Sequence, residues 1–269
     1  MTILLNTLKR YCRIYLALAK YCLVREMSFR GHFLINSITE GLWFFLLLIF
    51  FKVIYLKVST IAGWTEYQVL FLLGTHHLII QFFELVFFAN CVELADEIRT
   101  GKLDFVLLKP INAQFLLSVR RLRFSSAVNI PVALVIIFYA SYKLELRPDV
   151  SQVLAYCGLI FCSIMILYSI IFMLSLSAFW VIRNESIFQL WFPVTNFARY
   201  PMDMYSAWLQ VILIFVFPVL AVANFPAKMM VKTLEPGYAI YACCWALVAL
   251  LAGHFLFRFA LSRYRSASS

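Results

Sequence analysis

The chain has 269 residues, of which 64% are hydrophobic and only 13% charged, and its net charge is +10. So few charges cannot cover a water-soluble globule, so the composition excludes a soluble domain and indicates an integral membrane protein. Loop sidedness and anionic lipid account for the positive balance, which leaves nucleic-acid binding without support.

In chain order, residues 1–32 come first. Charges interrupt them throughout and no small-residue cleavage site follows a clean apolar core, so they do not read as a secretory signal. On a helical wheel Leu4, Leu8, Tyr11, Tyr15, Leu18 and Cys22 share one face, opposite Lys9, Arg13 and Lys20. That pattern predicts an amphipathic helix lying on the membrane.

Apolar runs follow at Phe33 to Tyr55, Tyr67 to Asn90, Phe124 to Tyr142, Val153 to Val181 and Tyr238 to Phe259. Each is long enough to cross a hydrocarbon layer of about 30 Å as a helix. The alternating ten-residue pattern of a membrane barrel is missing, so the fold class is an all-α polytopic membrane protein. A sixth crossing is expected between Ile187 and Phe225, where Pro193, Pro201, Pro218 and Pro226 remove helix donors. Two placements stay open. Either Tyr205 to Asn224 is the fifth span, or a shorter span from Ile187 to Tyr200 precedes a re-entrant hairpin that dips in from outside. No repeat or linker divides residues 1–269, which read as one transmembrane domain.

Six crossings put both termini on one side. That side carries sixteen basic residues, in 1–32 and 91–123 and at Arg183, Arg258, Arg263 and Arg265, against six opposite. The positive-inside bias then places both termini and the 91–115 loop in the cytoplasm. The seven cysteines fall in spans or on that side, with no zinc-ligand spacing; they read as packing residues, and no metal site is expected. Trp64, Tyr200, Tyr205 and Trp208 read as interfacial anchors.

Ionisable side chains within spans are costly and tend to face protein or water. Glu40 in the first span and His76, His77, Gln81 and Glu84 in the second are such a set, and His77, Gln81 and Glu84 align at i, i+4 and i+7. Two readings compete. They line a translocation path, with Glu40 and Glu84 drawing a cationic or amphipathic substrate and Trp43, Phe82, Phe83 and Phe87 offering aromatic faces; or they make hydrogen bonds between helices of neighbouring subunits.

The polar stretch Cys91 to Gln114 is where a soluble partner can grip. Val92 to Thr100 predicts a short helix bearing Glu93, Asp96, Glu97 and Arg99, with Gly101 ending it. Leu103 to Leu108 continues until Pro110, and Leu94, Ile98, Leu103 and Leu107 supply apolar contacts that stiffen the docked helix. A solvated loop whose charges only keep it out of the bilayer is the alternative. The one Gly-Lys pair, Gly101-Lys102, lacks the glycine and the Ser or Thr of a phosphate-binding loop. G-x-S-x-G and H-E-x-x-H are also missing, so no catalytic residue is expected and this chain does not hydrolyse ATP.

The pattern Asp96-Glu97-Ile98-Arg99-x-Gly101-Lys102-Leu103-Asp104, then Leu107-Leu108-Lys109-Pro110-Ile111-Asn112, resembles the cytoplasmic loop of permease subunits of type-2 ABC exporters. The subfamily is one formerly described only as a domain of unknown function. Arg199-Tyr200-Pro201-Met202-Asp203-Met204-Tyr205, Pro218 and Asn224-Phe225-Pro226-Ala227 are similar to it as well. The resemblance implies a half-transporter of six spans in a bacterial inner membrane. ATP and Mg would sit on a separate cytoplasmic ATPase, with a second permease chain, identical or similar, completing the pathway and no cofactor on this chain. It implies that residues 1–32 form an elbow helix beside the ATPase and that 91–115 is the coupling loop, with Glu93, Leu94, Asp96, Glu97, Ile98 and Arg99, then Gly101, Lys102, Leu103, Asp104, Lys109 and Pro110 as coupling residues. In residues 187–236 it favours the re-entrant arrangement, shaped by Pro201, Pro218 and Pro226 and capping the exit. Rival readings are an ion-coupled carrier or channel relaying protons through His76, His77 and Glu84, and a bacteriocin-immunity protein that sequesters a toxin.

Overall fold

In the computed structural model, residues 2–181 and 193–264 are described, with side chains from Asn6 onward. Arg183, Arg265 and the Ile187 end of the expected short span lie outside them. Helix α1 (Thr2–Ser28) leads into α2 (Arg30–Tyr55). Helix α3 (Glu66–Phe83) passes through a π-helical turn, Glu84–Phe88, into α4 (Ala89–Arg99), making one rod of 34 residues. Short helices α5 (Leu103–Leu107), α6 (Ala113–Val119) and α7 (Phe124–Ala127) precede α8 (Ile130–Lys143) and α9 (Val150–Leu176). Helices α10 (Ala207–Val211), α11 (Val219–Val231) and α12 (Pro236–Arg263) end the chain.

Five helical stretches, Arg30–Tyr55, Glu66–Arg99, Phe124–Lys143, Val150–Phe179 and Pro236–Arg263, are long and apolar enough to cross a membrane. Local chemistry sets their starts. Thr65 with Gln68, and Asp149 with Gln152, form reciprocal capping boxes that satisfy orphan N–H groups of α3 and α9. Pro131 and Pro236 stand in the first turns of α8 and α12, where a missing N–H costs nothing. Helix α9 is central, packing on α12, α11 and α3. Gly74 lets α3 meet α8, since a Cβ there would lie 2.8 Å from Ile137 Cγ1. Helix α2 keeps Leu34, Ile38, Leu42, Phe45 and Val53 exposed, an apolar face turned away from the bundle.

The proline-rich region folds as a helical hairpin, a bent pair that is either a broken span or a re-entrant loop. Ala207–Val216 and Val219–Val231 meet at 99°, with Pro218 at the break, so Tyr205 to Asn224 is not one straight helix. The first arm, ten residues, reaches only about 15 Å at 1.5 Å per residue. Both ends of the hairpin return to one end of the bundle, where Lys228 Nζ lies 2.8 Å from Asp203 Oδ1. Trp64, expected in an interfacial belt, is instead fully buried there. Its Nε1 donates to Asp203 Oδ2 at 2.7 Å, its carbonyl accepts from the Tyr55 hydroxyl at 2.9 Å, and Lys232 sits 4.6 Å above its ring. Trp208 is exposed as an anchor would be.

Candidate functional site

The six side chains expected along the seam, Glu40, Trp43, His76, His77, Gln81 and Glu84, line one cavity of about 410 Å³ between α2, α3 and the segment before the hairpin. Thr195, Asn196 and Arg199 close it on the remaining side, with Phe44, Leu47 and Ile80 as apolar wall. Of the expected aromatic faces only Trp43 belongs to it. Phe83 is buried in the core, Phe87 packs on Tyr168 with ring centroids 4.6 Å apart, and Phe82 is partly exposed away from the lining. His77 stacks flat on Phe44 at 3.8 Å.

The floor of the cavity is a charge cluster organised by Arg123, which lies just outside the apolar run Phe124 to Tyr142. Its Nη2 lies 2.9 Å from Glu40 Oε1 and its Nη1 3.4 Å from Glu84 Oε2. Ser126 Oγ donates to Glu84 Oε2 at 3.3 Å, and Asn129 Nδ2 to Glu40 Oε2 at 3.4 Å. Gln81, in the amide orientation that satisfies its neighbours, donates to the Ser126 carbonyl at 2.9 Å and to Glu40 Oε2 at 3.2 Å. These bonds join α2, α3, α7 and the start of α8 within the chain. Both carboxylates thus already have an internal cation.

Arg123 ends a short run of arginines that the π turn positions. Widening the helix at Glu84–Phe88 frees the Leu85 carbonyl, which accepts from the Arg123 N–H at 2.9 Å. Buried Asn90, one turn on, accepts from the Arg121 N–H at 2.9 Å and donates to the Val86 and Arg121 carbonyls at 2.7 Å each. So held, Arg120 pairs with buried Glu97, Arg121 pairs at 2.5 Å through two nitrogens with Glu93, and Arg123 reaches Glu84 and Glu40. The available signal was Glu93 and Glu97 at i, i+4 facing three arginines in four positions.

The loop itself divides by burial. Leu94, Ile98, Leu103 and Val106 are buried within the chain, while Phe105, Leu107 and Leu108 are exposed, Leu108 by 80%. Gly101, at φ 72°, ends α4 as its position predicts. Asp96 and Arg99 pair at the surface at 2.7 Å, and Glu97, expected to offer charge outward, faces inward. Lys102, Asp104, Lys109 and Pro110 stay near the tip, and Arg10 of α1 donates to the Pro110 carbonyl at 2.6 Å. Gln114 Oε1 meets His254 Nδ1 of α12 at 2.7 Å.

Helix α1 uses the later part of its predicted face: Tyr11, Tyr15 and Leu18 are partly buried and Cys22 fully, while Leu8 is exposed. Tyr11 packs edge-on against Phe115 at 4.8 Å. The Glu26 carboxylate accepts from the N–H groups of Phe124 and Ser125 at 3.1 Å each, capping α7. Burial pushes its pKa up, opposed in part by those two donors and by Arg25 and Arg123.

At the far end, Pro201 opens the turn Met202–Met204, and Pro226 lies buried inside α11. Fully buried Asn224 accepts from the Met202 N–H at 2.7 Å and donates to the carbonyls of Ala198 and Tyr200 at 3.3 and 3.2 Å. It fixes the segment carrying Arg199 above the cavity.

Long apolar helices, a bent helical hairpin and a polar cavity between them define an all-α multi-pass membrane protein. Residues 42–268 match the family model described as ABC-2 family transporter protein, and the chain belongs to that family. It is therefore a membrane-embedded permease of an ABC transporter, not itself catalytic, and the family implies association with ABC ATPase components. No curated protein and no solved structure matched the chain.

Proposed function

We propose that this chain is the permease half of an ATP-driven exporter in a bacterial inner membrane, with both termini cytoplasmic. A separate ATPase grips the 91–115 loop, and a second permease chain, identical or similar, meets the exposed face of α2. ATP and Mg stay on the ATPase, and residues 1–269 act as one permease domain. The cargo is an amphipathic small molecule or lipid entering the cavity over Glu40, Trp43, His76, His77, Gln81 and Glu84. Pro201, Pro218 and Pro226 shape the hairpin at the exit.

One observation carries this reading: residues 120–123 tie the loop helix, through Glu97 and Glu93, to the cavity floor at Glu84 and Glu40. A push on α4 by a partner reaches the cavity through paired charges rather than through mobile loop. Phe105, Leu107 and Leu108 supply the apolar contact, flanked by Asp96, Arg99, Lys102, Asp104 and Lys109. A proton relay has less support, because the Nε2 atoms of His76 and His77 have no hydrogen-bond partner among the described residues and no chain of bonds links them to Glu84.

The test is the Phe105→Asp, Leu108→Asp double variant, purified under mild detergent. Loss of a co-purifying ATPase, with the variant still folded and membrane-inserted, is expected. An ATPase retained with unchanged stimulated turnover rejects the coupling role.

A further inference from the structure

The cavity is electrically two-ended. Its floor, at Glu40 and Glu84, is occupied by Arg123, so a cationic ligand would have to evict a guanidinium already bound to both carboxylates. Its other end lies about 12 Å away, the rise of the eight residues from Glu84 back to His76. There Arg199 lines the wall with no acidic partner among the described residues, and its Nε has no hydrogen bond. His76 and His77, only 9% and 8% exposed, line the same cavity, and their Nε2 atoms are likewise unpartnered. Nitrogens left without acceptors in a buried wall are costly unless something supplies the acceptor.

We infer that Arg199, with His77, forms an anion subsite, so that the cargo is an amphiphile whose anionic head group docks there while its tail lies against Trp43, Phe44 and Leu47. This rests on the reading of the cavity as the cargo pathway and deepens it. Arg199 is a donor fork suited to a phosphate or carboxylate, and His77 need not be charged to donate an N–H, whereas the His76 ring already bonds the Thr195 backbone. Asn224, holding the carbonyls of Ala198 and Tyr200, fixes the backbone on both sides of Arg199 and so preorganises it.

The test is direct binding to the full-length chain in a neutral sugar detergent. Radiolabelled decyl phosphate is the probe, and decyl maltoside, decyltrimethylammonium and inorganic phosphate are competitors. Saturable binding of decyl phosphate is expected, displaced by neither the neutral nor the cationic amphiphile. Arg199→Gln should weaken it by about tenfold or more, the scale of one charge-assisted contact, and Arg199→Lys by much less. Displacement by millimolar inorganic phosphate would support the subsite with free anion as its occupant; lack of displacement would support it with the amphiphile's head group as occupant. Binding unchanged in Arg199→Gln, or stronger displacement by decyltrimethylammonium, overturns the assignment. If Arg199→Gln does not fold, the wild-type comparison decides: no preference for decyl phosphate over decyl maltoside also overturns it. Because no ATPase is needed, a negative result beside intact loop coupling removes only the anion assignment.

Discussion

Asp203 and Lys228 stand 2.8 Å apart across the mouth of the bent helical hairpin, and the same carboxylate accepts the indole N–H of Trp64 from the loop between α2 and α3. Three distant stretches of chain are thereby closed by one aspartate. Burial works to raise its pKa, but the bonds from Lys228 and Trp64 and the charges of Lys228 and Lys232 outweigh burial and hold it below the usual value.

A depressed carboxyl contributes stability above its unfolded pKa of about 3.9 and loses it as pH falls through the lower folded value. Thermal melts should place wild type above Asp203→Asn at pH 6, by about 1 kcal/mol for a partly exposed pair, with the gap closing in strong acid. A gap that persists or widens in strong acid would contradict the clasp. Trp64→Ala should cost more, about 3–5 kcal/mol for a buried aromatic.

Arg120 and Glu97 form a mostly buried pair, so removing one partner strands the other. Arg120→Ala should destabilise by about 3–5 kcal/mol, whereas the double change Arg120→Leu, Glu97→Leu should recover most of it. Chemical denaturation of both variants checks this, and equal losses would show that the pair is not the cause.

Charge reversal separates neighbouring positions. Asp96→Arg should leave folding intact because its side chain is 64% exposed, while Glu97→Arg should not. Yield and melting temperature distinguish them; equal tolerance would mean that Glu97 is not held inward.

Gly74→Val puts a branched side chain against Ile137, with a cost of about 1–3 kcal/mol for overpacking. Ile137→Ala in the same chain should restore stability relative to Gly74→Val alone. Absence of that rescue would place the α3 and α8 contact elsewhere.

Sidedness has its own check. Single cysteines at Ser59 or Asp149 should react with a membrane-impermeant maleimide added to intact cells, and one at Thr100 should not. The opposite pattern reverses the proposed orientation.

Span existence was legible because apolar length is a local property: the runs beginning at Phe33, Tyr67 and Val153 lie within or closely overlap helices of the structure. Gly101 was legible too, since the left-handed stop it provides needs only its own backbone. Trp64 was misread because its burial depends on Asp203, 139 residues later in sequence. Glu97 was read as outward because its partner lies beyond the loop's own periodicity. The π turn has no simple residue signature, and without it the reach of Arg123 to Glu84 could not be drawn. Arg199 lay in the proline region, where its depth depended on the path of the chain.

The arginine segment from 120 to 123 is braced at both ends by acids on the same helical rod, while at the tip Leu103 and Val106 pack inward and Phe105, Leu107 and Leu108 project outward. Those outward side chains can therefore be exchanged without redrawing the chamber, and the chamber can be re-lined without altering the grip. Chimeras that trade one and keep the other should inherit motor choice and cargo choice as independent traits.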